Sequence, residues 1–530
     1  MTVGDFEGNG RKILAALERA RSQGVELVLF AELALTGYPP EDLLFDPSFV
    51  EAARAQLHAI VPHTKGLCAV IGLPRKNPHG KDKPLYNSAA VCIDGQLACF
   101  YDKILLPTYD VFDERRFFEP GEGPCVFSYK GKQIAVTICE DAWQHAGGVG
   151  DANYRRDPIA EVSGRGVQLL LNLSASPYYY KRGNTRQAVF QATAETLGCP
   201  VLFCNQVGAN DQVIFDGRSM CLNGAGEPTA VANGFVEQDL VVDLEAMKPC
   251  TVTDEGIGSM YQALVLGVRD YFMKQGFSKA ILGLSGGIDS ALVACIAVDA
   301  LGASNVKALA LPTRFSSASS HTDAEQLAKN LKLQLQTISI DKTFQHYLDL
   351  LPHRCDITEQ NIQSRIRGMV LMAFSNNEGS LLLNTGNKSE MAMGYTTLYG
   401  DMCGGLGVLL DVTKLHVYEL ARYVNREREV IPVSILKKAP SAELKTGQTD
   451  QDTLPPYEVL DPILEDYLEE RLGPEEIAEK RGVELLFVQG IVRAVHRAEY
   501  KRRQAPIGLR VTGKAFSKGR NVPIVQKWVR

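Results

Sequence analysis

Three residues in the first half of the chain have side chains and positions suited to covalent chemistry. Glu32 follows the apolar run VELVLF (25–30), Lys103 follows LACFYD (97–102) and Cys139 follows QIAVTI (133–138). Each lies just past a predicted strand, at the carboxyl end, where α/β sheets gather their ligands. A cysteine nucleophile needs thiolate character and a proton acceptor, and Glu32 supplies the acceptor. The Lys103 ammonium would stabilise the thiolate or a tetrahedral oxyanion. A second set stands in the other half. The run KAILGL (279–284) leads into Ser285-Gly286-Gly287-Ile288-Asp289-Ser290, and the apolar helix-like run ALVACIAVDAL follows. Consecutive small residues at a helix start expose backbone N–H groups, a cradle for pyrophosphate. The two serine hydroxyls add donors, and Asp289 is placed to hold Mg²⁺ against the phosphates. The pattern is not GxxxxGK[ST], which disfavours a kinase-like transfer of the γ-phosphoryl group.

The rest of the chain must position these groups. Its 530 residues imply at least two domains. Apolar residues make up 45% and charged residues 22%, the balance of a globular chain rather than a disordered or fibrous one. No window reaches the roughly 18 unbroken apolar residues of a membrane helix, and MTVGDFEGNG lacks the profile of a secretory signal. The net charge of −6 disfavours a global nucleic-acid-binding surface. The 12 cysteines form no CxxC and no zinc cluster, so free thiols in a reducing, cytoplasmic setting are expected.

Periodicity predicts a helix at 11–23 and strands at 25–30, 68–73, 88–93, 133–138, 167–173, 200–206 and 240–245. It predicts a further helix at 184–197, capped by Asn184. A polar, aperiodic seam at 246–260 separates this layered α/β domain, 1–245, from a second, 261–530. There a helix from Tyr261 precedes strands at 279–284, 306–311, 335–340 and 380–385. Long crossovers join them, as in a parallel, doubly wound sheet. The polar stretch 437–457 is expected to be mobile and to cover a site, and 459–503 is expected to be mostly helical.

The words around the first three residues, FAELALTGYPPEDLL, YDKILLPTYDVFDE and TICEDAW, resemble the signature segments of the nitrilase (carbon–nitrogen hydrolase) superfamily, over about residues 1–245. The resemblance implies an αββα sandwich with Glu32, Lys103 and Cys139 as a catalytic triad. It also implies glutamine binding by Tyr109, Ser176 and Arg182, with Lys181 competing for the basic role. Ala31 departs from the proline common before the glutamate. The word SGGxDS resembles the PP-loop of the ATP pyrophosphatases, which transfer an adenylyl group. LPTRFSS, QNIQSRIRG, NTGNKSE, YGDMCGG and PSAEL narrow this to the NAD synthetases. Together the halves resemble the glutamine-dependent family of those enzymes.

The resemblance implies that Gly283, Leu284, Ser285, Gly286, Gly287, Ile288, Asp289, Ser290, Thr385 and Lys414 bind ATP. It places Asn361, Arg365, Glu390 and Lys501 at deamido-NAD, and Mg²⁺ at Asp289 and Glu390. Only one of Arg365 and Arg367, two positions apart on a helix, can face the site squarely. Ammonia-using relatives carry a lysine and an aspartate where this chain has Leu398 and Gly405, so those contacts differ here. The implied activity hydrolyses glutamine, channels the ammonia and amidates an acyl-adenylate of deamido-NAD. The expected partners are small molecules and other copies of the chain, with no nucleic acid or membrane. A GMP-synthetase-like or asparagine-synthetase-like enzyme, or a nucleotide-binding scaffold with dead sites, are the rival readings. Finally, nitrilase-like domains open with a strand ending in AQ before the TVGDFEGN word. Its absence here leads to the expectation that the natural chain starts upstream of Met1.

Overall fold

The computed structural model describes residues 1–80, 82–145, 154–253, 256–351 and 355–528. The chain divides into two compact units, Met1–Glu255 and Gly256–Arg530.

The first unit contains a four-stranded sheet, β1 (Leu27–Leu29), β2 (Cys68–Lys76), β3 (Leu85–Ile93) and β4 (Gln96–Asp102), in that order. Next come β5 (Cys125–Tyr129), β6 (Lys132–Ile138), β7 (Leu169–Ser174) and β8 (Val201–Asn205). The hairpin of β9 (Val207–Asn210) and β10 (Val213–Asp216) precedes β11 (Met220–Leu222) and β12 (Pro228–Val231). The second sheet runs β12-β11-β8-β7-β6-β5. Side chains alternate across a strand, so a strand covered on both faces reads as unbroken apolar sequence. Cys68 and Val70 of β2 meet Ile134, Val136 and Ile138 of β6 and Leu169, Leu171 and Leu173 of β7 between the sheets. The intervening Ala69 and Ile71 face the helices Phe6–Ser22 and Pro47–Ile60. On the far side Ala135 and Leu170 meet Val189 and Phe190 of the helix Arg182–Leu197. The result is the αββα sandwich.

Two sequence expectations differ from the structure. The helix assigned an Asn184 cap begins at Arg182, and Lys181 occupies the cap position at φ 68°. Residues 240–245 form no strand. Alternation there was genuine, but a strand also needs a ladder partner, and Val241 is 55% exposed.

In the second unit the parallel strands are β13 (Ala280–Gly283), β14 (Val306–Ala310), β15 (Gln334–Thr337), β16 (Leu381–Asn387), β17 (Leu406–Leu409) and β18 (Ile507–Gly508). Their order, β15-β14-β13-β16-β17-β18, reverses direction at β13, the switch point of a doubly wound sheet. Pattern reading anticipated four of these strands. It missed β17, four residues in a glycine-rich stretch, and β18, two residues far along the chain. Ile281, Leu309 and Leu382 face Ile362 and Ile366 of the helix Asp356–Glu378. Helices Tyr457–Leu468, Pro474–Arg481 and Leu485–Arg497 form a separate apolar cluster. No helix among the described residues is long and apolar enough to cross a membrane.

Candidate active sites

In the first unit, Glu32 and Lys103 lie on loops leaving β1 and β4, and Cys139 opens a short turn directly after β6. The Glu32 turn runs so close to β2 that a Cβ on Gly72 would lie 2.5 Å from the Leu33 amide nitrogen. A side chain there would displace the carboxylate. Cys139 has φ +44°, a strained conformation for a non-glycine residue that holds the thiol at the head of the turn.

Lys103 Nζ donates to Glu32 Oε1 at 2.7 Å, and both side chains are 1% exposed. Asn87 Nδ2 also donates to Glu32 Oε1, at 2.8 Å, and the Ala175 amide donates to Oε2 at 3.0 Å. The Glu32 carboxylate is therefore held by three donors. A fourth group, not singled out from sequence, completes the set. Glu114 Oε1 accepts from Lys103 Nζ at 2.9 Å and from the Tyr38 hydroxyl at 2.8 Å. Its signal was the acidic residue closing the YDVFDE word, 11 positions past the lysine.

Burial works against the Lys103 charge, but the carboxylates of Glu114 and Glu32 outweigh it and hold its pKa well above the ordinary value. Burial pushes the Glu114 carboxyl up to about 7. Burial, then the Glu32 charge, pushes the Cys139 thiol far up, with Lys103 opposing. The resting cysteine is thus a thiol, and attack on a carbonyl requires its proton to leave as the bond forms.

The residues expected at glutamine lie on neighbouring segments. The Tyr109 hydroxyl donates to Glu140, the residue after Cys139, at 2.9 Å, and Tyr154 donates to the same carboxylate at 3.1 Å. The Ser176 amide donates to Asn205 Oδ1 at 2.8 Å, one residue past the Ala175 amide that holds Glu32. Arg182 lies against Trp143, its guanidinium carbon 4.2 Å from the ring centroid, and donates to the Tyr179 hydroxyl at 2.7 Å. Lys181 is exposed. Arg186 is fully buried and pairs with Asp216 through two contacts of 3.0 Å.

In the second unit a cavity of about 310 Å³ opens at the carboxyl ends of the strands. Of the residues expected at ATP, Gly283, Leu284, Ser285, Gly287, Ile288, Asp289, Ser290, Thr385 and Lys414 line it. Gly286 lies behind the loop at φ +81°, where a Cβ would sit 2.2 Å from the Ser320 carbonyl oxygen. Residues 438–444 and Asp450, from the polar stretch expected to cover a site, also line the cavity.

Lys414 Nζ lies 2.5 Å from Asp289 Oδ2 and 3.6 Å from Glu390 Oε1, and Asn387 Nδ2 donates to Asp289 Oδ1 at 2.9 Å. Burial, then the charges of Asp289 and Asp450, pushes Glu390 up to about 8 against the lowering effect of Lys414. Three carboxylates therefore face one ammonium, a donor set rich in hard oxygen and short of positive charge. That chemistry fits Mg²⁺ held by Asp289 and Glu390. Among the described residues no cluster of three or more metal-ligating side chains is preformed. Mg²⁺ commonly takes only one or two protein carboxylates and completes its shell with phosphate oxygens and water.

Of the residues expected at deamido-NAD, Glu390 lines the cavity, whereas Asn361, Arg365 and Lys501 do not. Asn361 accepts from the Thr397 hydroxyl at 2.8 Å, Arg365 donates to the Leu398 carbonyl at 3.2 Å, and Lys501 donates to the Gly394 and Thr396 carbonyls at 2.8 and 2.7 Å. These three gather around the 394–398 turn. Lys388, central to the NTGNKSE word, also avoids the cavity. It is 1% exposed and pairs with Asp411 at 3.0 Å.

Residues 1–247 match the carbon–nitrogen hydrolase family and residues 260–505 match the NAD synthase family. The chain is 45% identical to a glutamine-dependent NAD(+) synthetase from Synechocystis, covering 99% of this chain and 97% of that one. It is 41% identical to one from Thermotoga maritima, with 99% and 97% covered. Among solved structures, the glutamine-dependent NAD+ synthetase of Acinetobacter baumannii in complex with adenosine diphosphate matches at 38% identity and a TM-score of 0.76, covering 99% of this chain and 97% of that one. From fold, sites and full-length similarity alike, the chain belongs to the glutamine-dependent NAD(+) synthetase family.

Proposed function

We propose that the chain is a glutamine-hydrolysing NAD⁺ synthase. It converts deamido-NAD, ATP, glutamine and water to NAD, AMP, pyrophosphate and glutamate. One observation carries this reading: a buried Glu–Lys–Cys constellation and a phosphate-loop cavity occur on one chain, one in each unit.

In the first unit Cys139 attacks the glutamine carboxamide. Glu32 takes the thiol proton and delivers it to the departing nitrogen, giving a thioester and ammonia. Lys103, fixed between Glu32 and Glu114, supports the oxyanion with a charge that does not need to reorganise. Glu32 then activates water to release glutamate. Tyr109, Ser176 and Arg182 would orient glutamine, with Arg182 suited to its α-carboxylate.

In the second unit the 283–290 loop, Thr385 and Lys414 hold ATP. The nicotinate carboxylate attacks the α-phosphate and pyrophosphate leaves. Ammonia then displaces AMP from the acyl-adenylate. Adenylation is required because a free carboxylate is a poor acyl donor. Mg²⁺ bound through Asp289 and Glu390 would neutralise charge on the phosphates. Asn361, Arg365, Glu390 and Lys501 would bind deamido-NAD.

The test is the purified chain with deamido-NAD, ATP, Mg²⁺ and glutamine, assayed for NAD and for the adenine nucleotide product. NAD with stoichiometric AMP and pyrophosphate is expected. ADP and phosphate as the stoichiometric products, or no NAD, would reject the reading.

A further inference from the structure

The helix Asp356–Glu378 carries Arg365 and Arg367 two positions apart, and the structure sends them to different places. Arg365 is exposed and turns to the Leu398 carbonyl. Ser364, Arg367, Gly368 and Leu371, at i, i+3, i+4 and i+7, form the face that lines the second-unit cavity.

Arg367 Nε donates to the Leu311 carbonyl at 3.1 Å. That bond fixes the guanidinium just past the carboxyl end of β14. This strand lies beside β13, which enters the phosphate loop, with Gly283 paired to Leu309. The two terminal nitrogens of Arg367 have no hydrogen-bond partner and no ion pair among the described residues, although the side chain is half-buried. Two carboxylates act on it from a distance, Glu443 and Asp401, and both also line the cavity. Glu443 is already committed to Lys438 and to the hydroxyls of Ser317 and Ser320. Asp401 accepts from the Thr397 amide.

A half-desolvated cation without hydrogen-bonded counter-charge is unfavourable on its own. Its planar fork matches carboxylate and phosphate oxygens bidentately. Resting on the reading above, we propose that Arg367 is a binding residue for the oxyanions joined during adenylation, either the ATP phosphates or the carboxylate of the dinucleotide substrate. Nε is already held by Leu311, so only the terminal nitrogens need to find the ligand.

The experiment compares Arg367→Leu and Arg367→Lys in the full chain. Ammonium-driven NAD synthesis is measured with separate KM values for ATP and deamido-NAD. Basal glutamine hydrolysis and the thermal midpoint serve as controls. Arg367→Leu should lower kcat/KM for synthesis by about 100-fold, roughly what a charged, bidentate contact contributes. Arg367→Lys should recover only part of it. Basal glutaminase activity should stay within about twofold of wild type, and the thermal midpoint should hold or rise, because the leucine variant buries no unpaired charge.

A rise in KM for ATP assigns the phosphates as ligand. A rise in KM for deamido-NAD assigns the dinucleotide, and a fall in kcat alone assigns the adenylation step itself. Synthesis by Arg367→Leu at the wild-type rate would overturn the proposal. So would a drop in thermal midpoint that tracks the lost activity and is cured, together with it, by Arg367→Lys. Absence of NAD from the wild-type protein would instead reject the functional reading.

Discussion

Replacing Asp216 with asparagine should damage the first unit selectively. Arg186 is among the largest fully buried side chains in the molecule, and its guanidinium contacts both Asp216 oxygens at 3.0 Å. The side chains of the pair are 1% and 5% exposed. Asn205 and the Ser176 carbonyl and hydroxyl adjoin it, so the pair also shapes the segment that presents Ser176. Asp216→Asn keeps the shape but leaves a buried cation uncompensated, at a cost of about 3–5 kcal/mol. In a unit of 255 residues each kcal/mol lowers the midpoint by about 2–4 °C, so a loss of roughly 6–20 °C is expected. A two-unit chain need not unfold in one step, so the reporter must belong to the first unit. Glutaminase activity surviving a heat challenge meets that need, with ammonium-driven synthesis as the control. Removing both charges, in Arg186→Met with Asp216→Leu, should recover most of the lost stability. A shift under about 2 °C in Asp216→Asn, or a double variant as fragile as the single one, would refute the argument that desolvated charge dominates here.

Three further outcomes are expected. Cys139→Ala should abolish glutamine-dependent synthesis and spare synthesis from added ammonium, whereas Asp289→Ala should abolish both; wild-type glutamine use by the cysteine variant would disprove the triad. Gly286→Ala places a Cβ 2.2 Å from the Ser320 carbonyl oxygen at a φ of +81°, so it should cost at least about tenfold in ammonium-driven activity without touching glutamine hydrolysis. Glu114 has a folded pKa of about 7 against an ordinary 4.5, so the folded state holds the proton more tightly. Its stabilisation is full below pH 4.5 and is lost as pH rises through about 7. The first unit's heat resistance should therefore fall between those values, and less steeply in Glu114→Gln, as a pH series of melting curves would show.

The sequence by itself determined the division into two α/β halves and the doubly wound sheet, because strands buried on both faces leave long apolar runs that no surface element tolerates; the sandwich was implied by the resemblance that the words around Glu32, Lys103 and Cys139 carry. It also located Glu32, Lys103, Cys139 and the 283–290 loop. Each sits at a strand end, and local order along the chain suffices to see that. Tertiary structure alone decided the rest. The missing strand at 240–245 and the extra strands β17 and β18 depended on whether a ladder partner existed, which alternation within one segment does not encode. Glu114 joined Lys103, and Lys388 of the NTGNKSE word was drawn to Asp411 rather than to the cavity. The two arginines of QNIQSRIRG parted company, Arg367 to the cavity and Arg365 to the surface. The two lysine outcomes depend on which carboxylate lies across a few ångströms of desolvated space, and the arginine outcome on which backbone carbonyl each guanidinium reaches. These partners lie 11 to 56 residues apart along the chain, and pairing at that range is set by packing.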